Sequence, residues 1–269
     1  LFAYTAQAQI NKEYFINSGR QKLMDNDYKG AIEDISRVIQ FNPDDYFAFF
    51  LRGIAKYQVG DFTGAEYDFS KVIEINPLHP HAYHYRGVTR DRLGDYTNAL
   101  DDYAKAMERN PQKQQIFVSR GFTDLHLEKY DKAIDDFKMA LKIEPTMAIA
   151  FLNRAIAYDA LEQYDKAIED CNKAIKVNFY LSDAFFQRAR IRYNMEDMAG
   201  AIEDIDLAIK RDDNDSRFYY FKALILIKQE KEADALTNFD KVLQLDPDNA
   251  LTYYRSEERR VGKECRSRW

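Results

Sequence analysis

"HAYHYRGVTRDRLGDYTNALDDYAKAMERNP", residues 81–111, carries two apolar stripes at helical spacing with a turn between them. The helices are "HAYHYRGVTRDRL" and "YTNALDDYAKAMERN", and Gly94-Asp95 is the turn. Gly87 and Ala99 remove bulk where the two helices are to meet, and Tyr83, Tyr96 and Tyr103 fill the flanks. Pro111, with no N–H and a ring that clashes with the preceding turn, stops the second helix. One such pair cannot bury both of its faces, so it requires copies of itself on either side.

The chain supplies those copies. A period of 34 residues runs without insertion from Lys12 to Asn249, in units 12–45, 46–79, 80–113, 114–147, 148–181, 182–215 and 216–249. Each unit opens on an aromatic residue (Phe15, Phe49, Tyr83, Phe117, Phe151, Phe185, Tyr219). A small residue follows four positions later (Gly19, Gly53, Gly87, Gly121, Ala155, Ala189, Ala223), and an alanine sits in mid-unit (Ala31, Ala65, Ala99, Ala133, Ala167, Ala201, Ala235). Pro43, Pro77, Pro111, Pro145 and Pro247 close five units; Phe179 and Asp213 stand in that place in the other two. This pattern resembles the tetratricopeptide repeat family. The resemblance implies an all-α, right-handed superhelical solenoid of antiparallel helix pairs. The chain departs from the family pattern in two columns. Arg replaces the usual Leu before the small residue, and Asp stands where the second helix often has Tyr.

These columns are regular: Arg52, Arg86, Arg120, Arg154 and Arg188, and Asp34, Asp68, Asp102, Asp136, Asp170 and Asp204. An exposed ion pair contributes about 0–1 kcal/mol, too little to require one in every unit. Partial burial with the planar Arg fork is therefore expected. Arg86 has two possible partners, Asp102 of its own unit or Asp68 of the one before. The ends of the array have Ser18 in the first Arg place, with Lys222 and Asn238 in the last Arg and Asp places. Pairing across units leaves no group over, so the expected ladder is 34–52, 68–86, 102–120, 136–154, 170–188 and 204–222.

The 269 residues include 31% charged residues, 19 Tyr and 18 Phe, but only ten Gly and six Pro, which suits a helix-rich protein. A net charge of −6 gives no basic footprint for nucleic acid. No apolar run is long enough to span a membrane. Two cysteines, Cys171 and Cys265, form no metal or disulfide pattern. Cys171 occupies the column of Phe69, Tyr103 and Phe137 and reads as a small core residue. Residues 1–11 contain Ala6-Gln7-Ala8, a small-residue pattern like a signal-peptide cleavage site with a mature start near Gln9; an extra helical turn is the plainer reading. Export to the periplasm or cell envelope is the expectation. Residues 250–269 begin an eighth unit at Leu251–Tyr254, then break the pattern at Glu257. "SEERRVGKECRSRW" reads as sequence foreign to the domain or as a basic interaction tail.

In the family that the chain resembles, the first helices of successive pairs line a concave groove for peptides or short helices. The resemblance places Phe47, Phe50, Ile54, Tyr57, His84, Val88, Phe122, Leu152, Ile156, Phe186, Tyr193 and Tyr220 on that face. About half are expected to be core, with Phe50, His84 and Tyr193 the more accessible. Arg20, Asp91, Asp159 and Arg190 are the orienting charges. The Lys and Asn of carboxylate-clamp members are replaced by Ile16 and Arg20, then by Phe50 and Ile54. The column that forms an Asn ladder in glycosyltransferase relatives reads Asn17, Leu51, Tyr85, Ser119, Asn153, Gln187, Phe221. Neither specificity transfers. His79, His81 and His84 lack the Cys or fixed carboxylate of a zinc site and read as a polar groove entrance. No phosphate-binding loop, nucleophile elbow or zinc-protease motif is present, and no cofactor is implied. The leading expectation is a non-enzymatic scaffold that holds a protein or peptide segment. The alternatives are the repeat portion of a larger envelope enzyme or sensor, and a glycan-associated assembly factor.

Overall fold

A computed structural model describes residues 2–248, with side chains from 12 onward. The eighth-unit start and the basic tail lie outside the described residues, as do the side chains of Ala6 and Ala8. Fourteen α-helices and no strands occur among the described residues. They fall into seven consecutive pairs, one per 34-residue unit. The first four are α1 (Phe2–Met24) with α2 (Tyr28–Phe41), α3 (Tyr46–Gln58) with α4 (Phe62–Ile75), α5 (Ala82–Arg92) with α6 (Tyr96–Arg109), and α7 (Gln114–His126) with α8 (Tyr130–Ile143). The remaining three are α9 (Ala148–Ala160) with α10 (Tyr164–Val177), α11 (Ser182–Asn194) with α12 (Met198–Arg211), and α13 (Ser216–Lys228) with α14 (Glu232–Leu245). The helices form two compact units, divided between Glu144 and Pro145. Within the first, α1, α3, α5 and α7 touch in succession, and α2, α4 and α6 each pack on the first helix that follows. Within the second, α9 touches α11, and α10 and α12 pack on the next first helix.

Every pair turns in the same way. The residue after the first helix's last turn has positive φ in all seven repeats: Asn26, Gly60, Gly94, Glu128, Glu162, Glu196 and Glu230. The following N–H then returns to a carbonyl five residues back, as Asp95 does to Arg90 at 2.9 Å and Lys129 to Asp124 at 2.8 Å. This closure satisfies carbonyls that the helix end would otherwise leave bare. Where Asp follows, as at Asp27, Asp61, Asp95 and Asp197, its carboxylate accepts an N–H at the start of the second helix.

The core lies between the two helices of each pair and, within each compact unit, against the next pair. Gly87 faces the Tyr103 ring, and a Cβ there would stand 2.7 Å from it. Gly53 meets Phe69 and Gly121 meets Phe137 in the same way, each at 2.8 Å. In the fifth repeat Ala155 packs with the smaller Cys171, which is fully buried. Burial pushes the Cys171 thiol up to about 12, so this sulfur is a packing group.

The Arg and Asp columns pair within the repeat, not between repeats. Arg86 donates from Nε to Asp102 Oδ2 at 2.8 Å and from Nη2 to Asp102 Oδ1 at 2.7 Å. The same fork joins Arg52 to Asp68, Arg120 to Asp136, Arg154 to Asp170 and Arg188 to Asp204. The expected ladder 34–52, 68–86, 102–120, 136–154, 170–188 and 204–222 is therefore incorrect. The hairpin itself brings the two together: Gly87 meets Tyr103 across the pair, and Arg86 and Asp102 meet beside them. The ends use other partners. Asp34 accepts from Ser18 at 2.6 Å and from Lys22 at 2.7 Å; Lys222 reaches Asp206 at 2.7 Å, and Asn238 bonds the Asp234 carbonyl of its own helix. Burial alone would raise the Asp34 carboxyl, but the bonds from Lys22 and Ser18 hold it below its ordinary value. The Arg column also reaches the preceding repeat, through neutral acceptors. The third nitrogen, Nη1, reaches back to Ser36 from Arg52, to Ser70 from Arg86, and to Asn172 from Arg188. Arg52, Arg86, Arg154 and Arg188 also lie over Phe49, Tyr83, Phe151 and Phe185, which gives the opening aromatic of those units a second contact.

Candidate functional site

The candidate binding face is built by the first helices, whose mutual contacts place it. In the first unit, Phe47 on α3 is exposed. It lines a cleft of about 340 Å³ with Ile16 and Asn17 of α1, Tyr46, and the Lys12–Asp45 ion pair at 2.8 Å. Phe122 on α7 is also exposed, its ring 4.5 Å from that of His126. Phe50, Ile54 and Tyr57 are half-buried. Phe50 packs against His79 at 4.6 Å and Tyr85 at 5.4 Å, and the Tyr57 hydroxyl accepts from Arg92 Nε at 3.1 Å.

His84 is half-buried and hydrogen-bonded to Ser119 Oγ at 3.0 Å. Burial first, then the nearby charges of His81 and Lys113, lowers its pKa to about 4, so the ring is neutral at pH 7. Asp91 is not an orienting charge at the surface. It is buried and accepts from Thr123 Oγ1 at 2.5 Å, tying α5 to α7.

In the second unit, Phe186 packs on Phe218 and Phe221, and Tyr193 lies beside Phe221 with Lys228 Nζ 4.7 Å from its centroid. Tyr220 is half-buried beside Phe239, and Leu152 is core. Arg190 and Ile149 are exposed. Asp159 accepts from Gln187 Nε2 at 2.8 Å, and burial raises its carboxyl despite Arg190, Asn194 and Gln187.

Phe50, His84 and Tyr193 are thus less open than expected, because each leans on the neighbouring first helix. Accessible apolar groups of the first helices include Tyr46, Phe47, Tyr85 and Phe122 in the first unit and Ile149 and Ile227 in the second. Tyr85, Ser119, Gln187 and Phe221 belong to the column tested above only for an Asn ladder, and they make the contacts between first helices. The signal was available in that column's mix of aromatic and hydrogen-bonding residues at fixed spacing. His79 is buried and its Nδ1 accepts the Ala82 N–H at 3.1 Å, capping α5. Among the described residues, no three His, Cys, Asp or Glu side chains gather to hold a metal. No described helix is long and apolar enough to cross a membrane.

This architecture is a helical-repeat array in which, within each compact unit, first helices pack on first helices. Models described as tetratricopeptide repeat match residues 148–179, and residues 50–113 and 186–250. The chain belongs to the tetratricopeptide repeat family. It is similar to the crystal structure of a tetratricopeptide repeat protein from Parabacteroides merdae, with a TM-score of 0.77 at 20% identity, over 91% of this chain and 98% of that one. It also resembles a Pseudomonas aeruginosa protein, pilF, with a TM-score of 0.65 at 17% identity over 79% of this chain and 97% of that one. A third likeness is to YrrB, described as a tetratricopeptide repeat protein with an unusual peptide-binding site. Its TM-score is 0.50 at 22% identity, over 70% of this chain and 97% of that one. No curated protein matches the chain.

Proposed function

We propose that the chain is a non-catalytic scaffold whose first helices hold a protein or peptide segment. The exposed Phe47 in its cleft carries this reading, since a large ring held open beside α1 is a ready anchor for a partner's apolar side chain. Phe122 offers a second anchor farther along the same unit. The peptide-binding site named for YrrB supports the mode of use without supplying a partner. The Ala6-Gln7-Ala8 pattern supports a scaffold of the cell envelope; a chain recovered from whole cells with its N-terminus still upstream of Gln9 would remove that support.

The test is capture from an envelope extract, followed by affinity measurement with the captured partner. Phe47→Ala and Phe122→Ala should each weaken binding by about ten- to thirtyfold, the range for an interface anchor. Tyr180→Ala, which removes an aromatic 83% exposed before α11, should leave affinity unchanged. Retention of full affinity by both groove variants would refute the inner-face reading.

A further inference from the structure

Four carboxylates of the Asp column hold a cation placed one helical turn beyond the Ser or Arg place. Lys22 reaches Asp34 at 2.7 Å, Lys56 reaches Asp68 at 2.9 Å, Arg90 reaches Asp102 at 2.7 Å and Arg192 reaches Asp204 at 2.9 Å. In the fifth and seventh repeats Tyr158 and Leu226 fill the place with bulk. The fourth repeat puts a carboxylate there. Asp124 is 4% exposed, and its carboxylate, unlike its main-chain carbonyl, accepts no hydrogen bond from another described residue. Burial, and then Asp136, raises its pKa against the pull of Lys129, Lys132 and Arg120. Asp124, Asp136, Arg120 and Leu100 line an open cleft of about 360 Å³. Lys129, Lys132 and Asp135 complete the lining, all three exposed.

The third repeat shows what fits this space. There Arg90 donates from Nη1 to Asp102 at 2.7 Å and from Nε to Glu66 at 2.8 Å. One period later, Asp102 becomes Asp136, Glu66 becomes Leu100 and Arg90 becomes Asp124. The guanidinium is replaced by a second carboxylate. We propose that the cleft between α7 and α8 receives the guanidinium of an arginine side chain from a protein partner, bonded by Asp124 and Asp136.

The formal charges of the lining balance, so long-range attraction is not the source of affinity. The gain is a charge-assisted hydrogen bond to a carboxylate that no neighbouring side chain bonds, delivered by a planar group able to bridge two acceptors. A metal ion is disfavoured because no three carboxylates here are placed to ligate one. Asp124 lies two residues from Phe122, about 200° around the helix, so the site faces away from the inner groove and stands apart from it.

The test is an amide-resolved NMR titration of the full chain with N-acetyl-arginine amide, and in parallel with the neutral isostere N-acetyl-citrulline amide. Saturable shifts confined to residues around 120–136 are expected with the arginine probe and not with citrulline. Asp124→Asn should weaken binding at least tenfold, and Asp124→Arg, which restores the third repeat's arrangement, should abolish it. Absence of saturable shifts, equal response to citrulline, or unchanged affinity in Asp124→Asn would overturn the proposal. So would binding that appears only after Lys129→Ala and Lys132→Ala, since those lysines would then be the occupants. Should Asp124→Asn fail to fold, the citrulline comparison and Asp124→Arg still decide.

Discussion

Arg86 touches two repeats with different ends of one guanidinium: a charged fork on Asp102 and a single bond to Ser70 Oγ at 3.2 Å. Ser70 is only two residues from Asp68, the partner that counting the array ends favours. That count failed because it assumed a closed set of partners, while Ser18, Lys22 and Asp206 were also within reach. The better signal was Gly87 opposite Tyr103, which fixes which residues face each other across the hairpin. Asp102 is 1% exposed, so leaving it without its cations costs on the order of 3–5 kcal/mol. In urea unfolding, a double-mutant cycle should give large coupling between Arg86 and Asp102 and small coupling between Arg86 and Asp68. Equal couplings would show that the fork does not discriminate between the two repeats.

At the scale of the helix pair, period, small-residue positions and proline stops made the architecture legible in the sequence. The turn geometry was legible only where glycine marked it, at Gly60 and Gly94. Glu128, Glu162, Glu196 and Glu230 adopt the same left-handed conformation without that mark, imposed by the helix closure. A side chain with a Cβ loses about 1 kcal/mol there relative to glycine. Glu128→Gly and Glu196→Gly should therefore each stabilise the protein by about 0.5–1 kcal/mol, and Gly94→Ala should cost a similar amount, by chemical denaturation. The same reasoning applies to the core pair of the fifth repeat. Cys171→Phe alone should overpack against Ala155 and destabilise by about 1–3 kcal/mol. Adding Ala155→Gly, which copies Gly53 with Phe69, should recover most of that loss.

At the largest scale, the packing of the first helices was half legible. Their aromatic and polar columns could be read from the period, but exposure within a column depends on how far each first helix leans on the next, and a single column's spacing does not report that. Phe50 and His84 close over their neighbours, while Phe47 and Phe122 stay open. His84 gives this packing a pH signature. Its folded pKa of about 4 lies below the ordinary 6.5, so between those values the unfolded chain binds the proton first. Stability should fall as pH drops through that window, with a slope approaching 1.4 kcal/mol per unit at most from this group. Comparing wild type with His84→Gln by denaturation at pH 7 and pH 4.5 isolates the contribution, and identical slopes would contradict it.

The within-repeat fork also has a consequence for how such a chain changes over generations. Because each Arg–Asp fork is settled inside its own 34-residue block, a block can be duplicated, dropped or shuffled without breaking the forks of the copies that remain. An array held by a charge ladder across its joints would break at every such edit.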